Sequence, residues 1–331
     1  MEILYLNAED VEKVAMTDDD ILDAIEASLR AQGMGQTVIE PRVHLMPKPD
    51  VHGHFNVLRG YIGEEMDVAG VKVVGDYVYN YKLGLPSEMA LLNLYDPNTG
   101  APLAIMDATE ITSIRTGALT AIGAKYLAKK ENKVLGHLGS RGTAFWNVVL
   151  LDKLYNFEEI RVNSRRTESL EAFAERLEAH LGKPVIRAKD SEECLVGADI
   201  MVEATRLLEP FPLLKTEWVN PGCFVVPYGT ISAVELSLTD VMDKMVVDDW
   251  GQCKGGILGS LRPHVESGKL SAETLHAELG EIVAGKKVGR EREDERILFW
   301  HRGLSTSDIA LGYFTYQKAL EKGIGTMLKY R

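Results

Sequence analysis

The stretch KVLGHLGSRGTA, residues 133–144, decides the fold: an apolar run ends at a glycine turn, and a helix-like segment over 144–154 follows it. Strand, glycine turn and helix in that order form the opening of a dinucleotide-binding βα unit. The turn departs from G-x-G-x-x-G. Gly139 fits the tight-turn glycine, but Arg141 stands where a second glycine lets a pyrophosphate approach the backbone, with Gly142 one residue later. The free N–H groups and positive end of the following helix still favour a diphosphate. Gly139, Ser140, Arg141, Gly142 and Thr143 are therefore candidate phosphate contacts. Arg141 either reaches over the phosphates or points to solvent.

Downstream the pattern repeats: EIRVN at 159–163, a helical SLEAFAERLEAHL at 169–181, then IMVEAT at 200–205, CFVVPYG at 223–229 and KMVVDD at 244–249. Apolar strands separated by helical crossovers predict a doubly wound parallel sheet of the Rossmann type, an α/β fold. Strand 159–163 runs into Asn163, Ser164, Arg165 and Arg166, where an NAD-binding strand would end in an acid for the ribose 2′-hydroxyl. Two guanidinium groups beside a serine suit a 2′-phosphate, so NADP(H) is favoured and NAD(H) remains possible. A merely solvated loop is the alternative for Arg165 and Arg166. Thr205 and Gly229, at the ends of later strands, are expected to line the nicotinamide side.

Upstream of the turn the period changes. Ile21, Leu22, Ile25 and Leu29 fall at helical spacing in 17–33, with Gly33 as the stop. Segments 54–58, 71–79 and 88–95 read as strands of an antiparallel layer, and PNTG at 97–100 as a turn between two extended runs. An alanine-rich helix is predicted over 116–129 and a closing helix over 307–322.

The 331 residues suggest two domains. A chain 45% apolar and 26% charged is an ordinary globular balance, and its net charge of −12 would repel a nucleic-acid backbone. With no membrane-spanning run and no secretory leader, a cytoplasmic protein is expected. Cys194, Cys223 and Cys253 lack metal-site spacing and are odd in number, so buried free thiols are expected and no metal.

GVKVVG around Lys72, EITSIRTGALTAIGAKYLA around Arg115, DPNTGAPLAIMDA at 96–108, AELGEIVAG at 277–285 and ALEKGIGT at 319–326 are ordered and correctly spaced. With these segments the chain resembles the ornithine cyclodeaminase and mu-crystallin family over nearly its whole length. The resemblance implies a homodimer with a Rossmann-like NAD(P)-binding domain, 116–303. It also implies an α+β substrate-binding and dimerisation domain from 1–115 with 304–331, built from the N-terminal part and the C-terminal helix. It implies that Lys72 and Arg115 hold a substrate carboxylate, joined by Arg42 from an earlier strand. Cations suit that task, although each could be a surface charge. Lys72, inside an apolar run, would be costly to bury without a partner.

Two acids that the resemblance leads one to expect are absent. In the loop Gly229-Thr230-Ile231-Ser232-Ala233, cyclodeaminases of the family carry an aspartate; here Ile231 lies in that loop, and no carboxylate comes before Glu235. Asn56 stands near the position of a substrate-side glutamate. His301, in Trp300-His301-Arg302-Gly303, replaces part of a lysine-serine pair and is either a proton donor or structural. Without a base at Ile231, ring closure is disfavoured while hydride transfer is not. The expected activity is an NAD(P)H-dependent imine reductase or amino-acid dehydrogenase acting on a small imino or amino acid. The alternatives are an ornithine cyclodeaminase, releasing ammonia from L-ornithine with bound NAD, and a non-catalytic protein that binds NADPH and a small ligand.

Overall fold

The computed structural model describes residues 1–48, 50–256 and 258–331. The chain divides into two compact units, Met1–Arg115 with Gly303–Arg331, and Thr116–Arg302. It opens with β1 (Glu2–Leu6), α1 (Ala8–Val14) and α2 (Asp18–Gly33), then β2 (Thr37–Ile39), β3 (Val43–Leu45), β4 (Gly53–Ile62), β5 (Val68–Tyr77), β6 (Glu88–Tyr95) and β7 (Pro102–Asp107). After α3 (Thr109–Leu127) come β8 (Val134–Leu138), α4 (Ala144–Tyr155), β9 (Glu159–Asn163), α5 (Thr167–Leu181), β10 (Ile186–Arg187), α6 (Ser191–Leu195), β11 (Ile200–Glu203), β12 (Phe224–Pro227) and β13 (Lys244–Val247). The remainder holds α7 (Trp250–Gly255), α8 (Arg262–Glu266), β14 (Ala277–Glu278), α9 (Leu279–Val283), β15 (Ile297–Trp300), α10 (Ser305–Lys322) and β16 (Thr326–Lys329).

In the first unit, one sheet runs in the order β16-β1-β7-β6-β5-β4-β2, with β3 also paired to β4. β2 to β7 pair antiparallel where they adjoin, whereas β1 lies parallel to β7. Strict alternation sets the faces of β5: Val68, Gly70, Lys72, Val74 and Asp76 are buried, and the residues between them are half-exposed. Helix α10 covers the first face closely. A Cβ at Gly70 would lie 2.6 Å from Ile309, and one at Gly312 would lie 2.2 Å from Leu92. Small residues on both sides thus set the spacing between helix and sheet. Helix α2 starts at a Thr17–Asp20 capping box and buries Ile21, Leu22, Ile25 and Leu29.

The second unit has a parallel sheet in the order β10-β9-β8-β11-β12-β15-β13-β14. From β8 the chain winds outward through β9 and β10, then returns to β11 on the other side of β8. The β8/β11 junction is therefore the topological switch point, where open α/β sheets take their ligands. The strands β11, β12, β13 and β15 are buried throughout, as a doubly covered sheet requires. Cys194, Cys223 and Cys253 are free and buried, and burial pushes the Cys194 and Cys223 thiols up to about 12. Among the described residues no helix is long and apolar enough to cross a membrane, and no three metal-ligating side chains cluster.

Candidate active site

The first unit gathers its charged residues around Asp308, in the first turn of α10. Asp308 is fully buried; its Oδ1 accepts from Lys72 Nζ at 2.6 Å and from Arg115 Nε at 2.8 Å. Lys72 Nζ also donates to Thr112 Oγ1 at 3.0 Å, which donates to the Ala108 carbonyl. Arg42 Nη2 donates to the Gly303 carbonyl at 3.0 Å. Gly303 has φ +78°, and a Cβ there would sit 2.1 Å from Arg115 Nη1. Only glycine leaves room for that guanidinium.

Burial disfavours the Lys72 ammonium and lowers its pKa to about 7; Asp308 opposes this, and Arg115 and Arg42 reinforce it. Burial likewise works against an ionised Asp308, but Arg115 and Lys72 outweigh it and hold its pKa below the usual range. The cluster thus carries more positive than negative charge. It lies at the start of α10, whose N-cap Leu304 supplies no side-chain cap. The hydroxyls of Ser305, Thr306 and Ser307, together with Asp308 Oδ2, have no hydrogen-bond partner among the described residues. Uncapped N–H groups, three cations and free hydroxyls suit one further carboxylate.

Asn56 shares a face with Lys72: it pairs with Val74, as Leu58 pairs with Lys72. Its buried Oδ1 has no partner among the described residues. Arg42 does not belong to a strand, since β3 begins at Val43; the preceding Pro41 keeps that segment out of the ladder.

In the second unit the glycine turn is formed from Gly139 to Thr143. Gly139 has φ +105°, and a Cβ there would lie 2.6 Å from the Ala204 carbonyl, so the first glycine serves the close approach of β8 to β11 at the switch point. Gly142 has φ +55° and open space where a Cβ would be. Thr143 is the N-cap of α4 but gives no side-chain cap; its hydroxyl instead hydrogen-bonds Tyr228 Oη at 2.7 Å. Ala144 N–H turns back to the Arg141 carbonyl at 3.3 Å, and no side chain caps the rest of the first turn of α4. This geometry fits a dinucleotide diphosphate.

Ser140 Oγ donates to Ser164 Oγ at 2.8 Å, joining the turn to the end of β9. Arg141 Nη2 reaches Ser169 Oγ at 3.4 Å, in the first turn of α5. That helix is also uncapped by its N-cap side chain, Arg166, and Arg165 and Arg166 are exposed beside it. Asn163 turns away, donating to the Ala188 carbonyl at 2.9 Å.

Thr205 is committed elsewhere: its N–H and Oγ1 both donate to Glu203 Oε1, at 2.8 and 2.5 Å. His301 is 2% exposed, stacked on Tyr228 at 4.6 Å between centroids, and its Nε2 lies 3.0 Å from Thr120 Oγ1. Ile231 is half-buried in its loop, and Glu235 accepts from the Thr216 N–H at 2.9 Å, turned away from that loop.

Across the whole length the same pattern is found in known proteins. The model of the ornithine cyclodeaminase/mu-crystallin family matches residues 1–323. The chain belongs to this family. Alanine dehydrogenase of Archaeoglobus fulgidus is 33% identical, over 100% of this chain and 99% of its own. Δ1-pyrroline-2-carboxylate reductase of Thermococcus litoralis, solved with NADH and L-proline, superposes with a TM-score of 0.90 at 30% identity, covering 98% of this chain and 99% of that one. An archaeal alanine dehydrogenase dimer with bound NAD gives 0.91 at 32% identity over the full length of both.

Two residues of the family member described here escape a reading of its sequence. Asp308 looks like an ordinary acid favouring a helix N-terminus, and Glu203 is hidden in the apolar run IMVEAT. A carboxylate inside a buried strand is the signal that marks Glu203.

Proposed function

We propose that this protein is a nicotinamide-dinucleotide-dependent oxidoreductase that interconverts an α-imino acid and the corresponding amino acid. The observation that carries the reading is the Lys72–Asp308–Arg115 cluster, which has cationic surplus for one carboxylate and, in Lys72, a buried amine whose pKa falls to about 7. Arg115 and Arg42 orient the carboxylate by charge and hydrogen bonds, and Lys72 both binds it and holds or releases a proton near neutral pH. Asn56, on the same face, meets the substrate beyond its head group. The nicotinamide supplies the hydride when bound. The relatives named above, alanine dehydrogenase and pyrroline-2-carboxylate reductase, support this reading.

The dinucleotide is held by the turn Gly139–Thr143 at its diphosphate. NADP(H) is our preferred form, because Ser164, Arg165 and Arg166, with Arg141 leaning toward the same helix start, provide cations and no competing acid at the end of β9. Glu168 lies one residue into α5 and pairs loosely with Arg166, its Oε2 4.0 Å from Arg166 Nε.

The other face of the first unit's sheet supports a homodimer. Val43, Leu45, Met89 and Leu91 are exposed there, and the strand register places them on the side opposite Lys72 and α10, together with Val71 and Val73. An open apolar sheet face of this extent is covered by a second copy.

The deciding assay is NADPH and NADH oxidation on cyclic and acyclic imino acids. Turnover on at least one substrate is expected, with no stoichiometric ammonia and proline from L-ornithine in the absence of added dinucleotide. Ammonia and proline in equal amounts would establish a cyclodeaminase instead. Dinucleotide binding without oxidation of any substrate would establish a binding protein.

A further inference from the structure

Glu203 ends β11 at the switch point of the parallel sheet and is fully buried. It forms no ion pair among the described residues. Its partners are hydrogen-bond donors from three separate segments. Oε1 accepts from the Thr205 N–H at 2.8 Å and from Thr205 Oγ1 at 2.5 Å; Oε2 accepts from Ser260 Oγ at 2.6 Å and from the Gly229 N–H at 3.3 Å. Those segments also bond to one another through the backbone: Thr230 N–H to the Thr205 carbonyl, Gly259 N–H to the Thr230 carbonyl, and Ser260 N–H to the Gly229 carbonyl. A Cβ at Gly229 would lie 2.5 Å from Glu203 Oε1, so the glycine is what lets the loop after β12 descend onto the carboxylate.

The chemistry selects a carboxylate. It offers acceptors on both oxygens and no donor; Oε1 meets the Thr205 N–H, and Oε2 shares the Gly229 N–H with the Glu203 backbone carbonyl, 3.2 Å from it. A glutamine would set its own –NH2 against one of these amides. Burial raises the pKa of Glu203, while the donors from Ser260, Thr205 and Gly229 favour the ionised form. With every acceptor direction occupied and no exposure, the group has no path to a reacting atom. Its role is to hold other groups in place.

We propose that Glu203 is the positioning residue for the nicotinamide end of the dinucleotide: one buried carboxylate that pins the loops after β11 and β12 and the segment at Ser260 into a single wall. The inference rests on the dinucleotide reading above. It also changes the part played by Thr205, whose polar groups serve Glu203 and not the cofactor.

The test uses the full-length protein, with NADPH and NADH binding followed by fluorescence and thermal unfolding measured in parallel. Glu203→Gln and Ser260→Ala are expected to weaken dinucleotide binding, the first by about tenfold or more, as loss of a hydrogen bond to a charged group implies. The KM of the imino-acid substrate should stay within about twofold, the split that a wall for the dinucleotide predicts. Glu203→Ala should be worse than Glu203→Gln, so the glutamine counts as partial rescue; should the alanine variant fail to fold, Ser260→Ala carries the test. Leu177→Ala, a core truncation in α5, serves as the control for general destabilisation. Equal weakening in that control at an equal loss of Tm would overturn the proposal. So would unchanged dinucleotide affinity in Glu203→Gln. Wild-type protein that binds neither dinucleotide would overturn the functional reading as well, a result distinct from wild-type binding with an indifferent Glu203.

Discussion

Replacing Asp308 by asparagine separates what the charged cluster does for stability from what it does for binding. The carboxylate is fully buried and pairs with two cations, at 2.6 and 2.8 Å. Asp308→Asn keeps the shape and removes the charge, so the buried Arg115 guanidinium loses its partner and Lys72, whose pKa Asp308 holds up, is driven further toward its neutral form. Breaking a buried pair in this way costs about 3–5 kcal/mol. With about 2–4 °C of Tm per kcal/mol for a protein of a few hundred residues, Tm should drop by roughly 6–20 °C. Lys72→Met has the opposite signature. It leaves Asp308 with Arg115 and removes the cost of burying an ammonium, so Tm should hold or rise. Substrate KM should increase about 10–100-fold, the loss of one charged hydrogen bond to the carboxylate. In the double variant the two effects on stability should be non-additive by about 1 kcal/mol or more. Calorimetry and initial-rate kinetics on the four proteins decide the matter. Additive stabilities with a Tm change of only a degree in Asp308→Asn would refute the electrostatic account, and an unchanged KM in Lys72→Met would remove Lys72 from the substrate site.

The pH dependence of KM follows from Lys72. Its pKa is depressed to about 7 in the folded protein, so the cation is lost as pH rises through that value. KM for the carboxylate substrate should rise above about pH 7, and Lys72→Arg, which stays charged, should flatten the profile. The linked stability has the reverse sign. Between about pH 7 and Lys72's ordinary value of 10.5 the unfolded chain binds the extra proton, so the cost of burying Lys72 is full below pH 7 and fades as pH rises. Arg165→Ala with Arg166→Ala should weaken NADPH by about 10–100-fold and leave NADH nearly unchanged, and equal loss for both dinucleotides would contradict a 2′-phosphate site. Arg141→Gly should alter NADPH affinity; an unchanged dissociation constant would show that its side chain serves only Ser169. Leu91→Glu should give a monomer by light scattering if the open sheet face is the dimer contact, and a monomeric wild type would exclude it.

The parallel sheet was legible because its strands are buried on both sides and read as unbroken apolar runs: predicted EIRVN is β9, and IMVEAT, CFVVPYG and KMVVDD each contain the strand found there. What stayed hidden is mostly short or edge structure. β1, β10 and β16 give too few residues for a period to emerge, and their pairing is fixed by distant chain, as β16 is by β1. Helix α3 begins at Thr109, seven residues before the predicted start, because Ile111, Thr112 and Ile114 have strand-like propensity; tertiary packing overrides it. At the site, Lys72 stood out as a charge in an apolar run. Its partner Asp308 did not, since 236 residues separate them and an acid near a helix start has a sufficient local explanation.

The absent loop acid bears on where the proton of an imine reduction comes from. Glu235 is turned to the Thr216 N–H, and Glu203 is sealed by its donors. His301 lies between Tyr228 and Phe299, with its Nε2 beside Thr120. None of the three has both a free proton site and a suitable environment. Lys72 is different: burial brings its ammonium to the neutral range, where a general acid both keeps its proton and releases it readily. We propose that the amine offered to the substrate carboxylate is also the acid of the reaction. Lys72→Arg should therefore retain substrate affinity while kcat falls by about 100-fold or more, because a guanidinium supplies the charge and not the proton. Retained kcat in that variant, with solvent isotope effects matching the wild type, would assign the proton to solvent and leave Lys72 as a binding group alone.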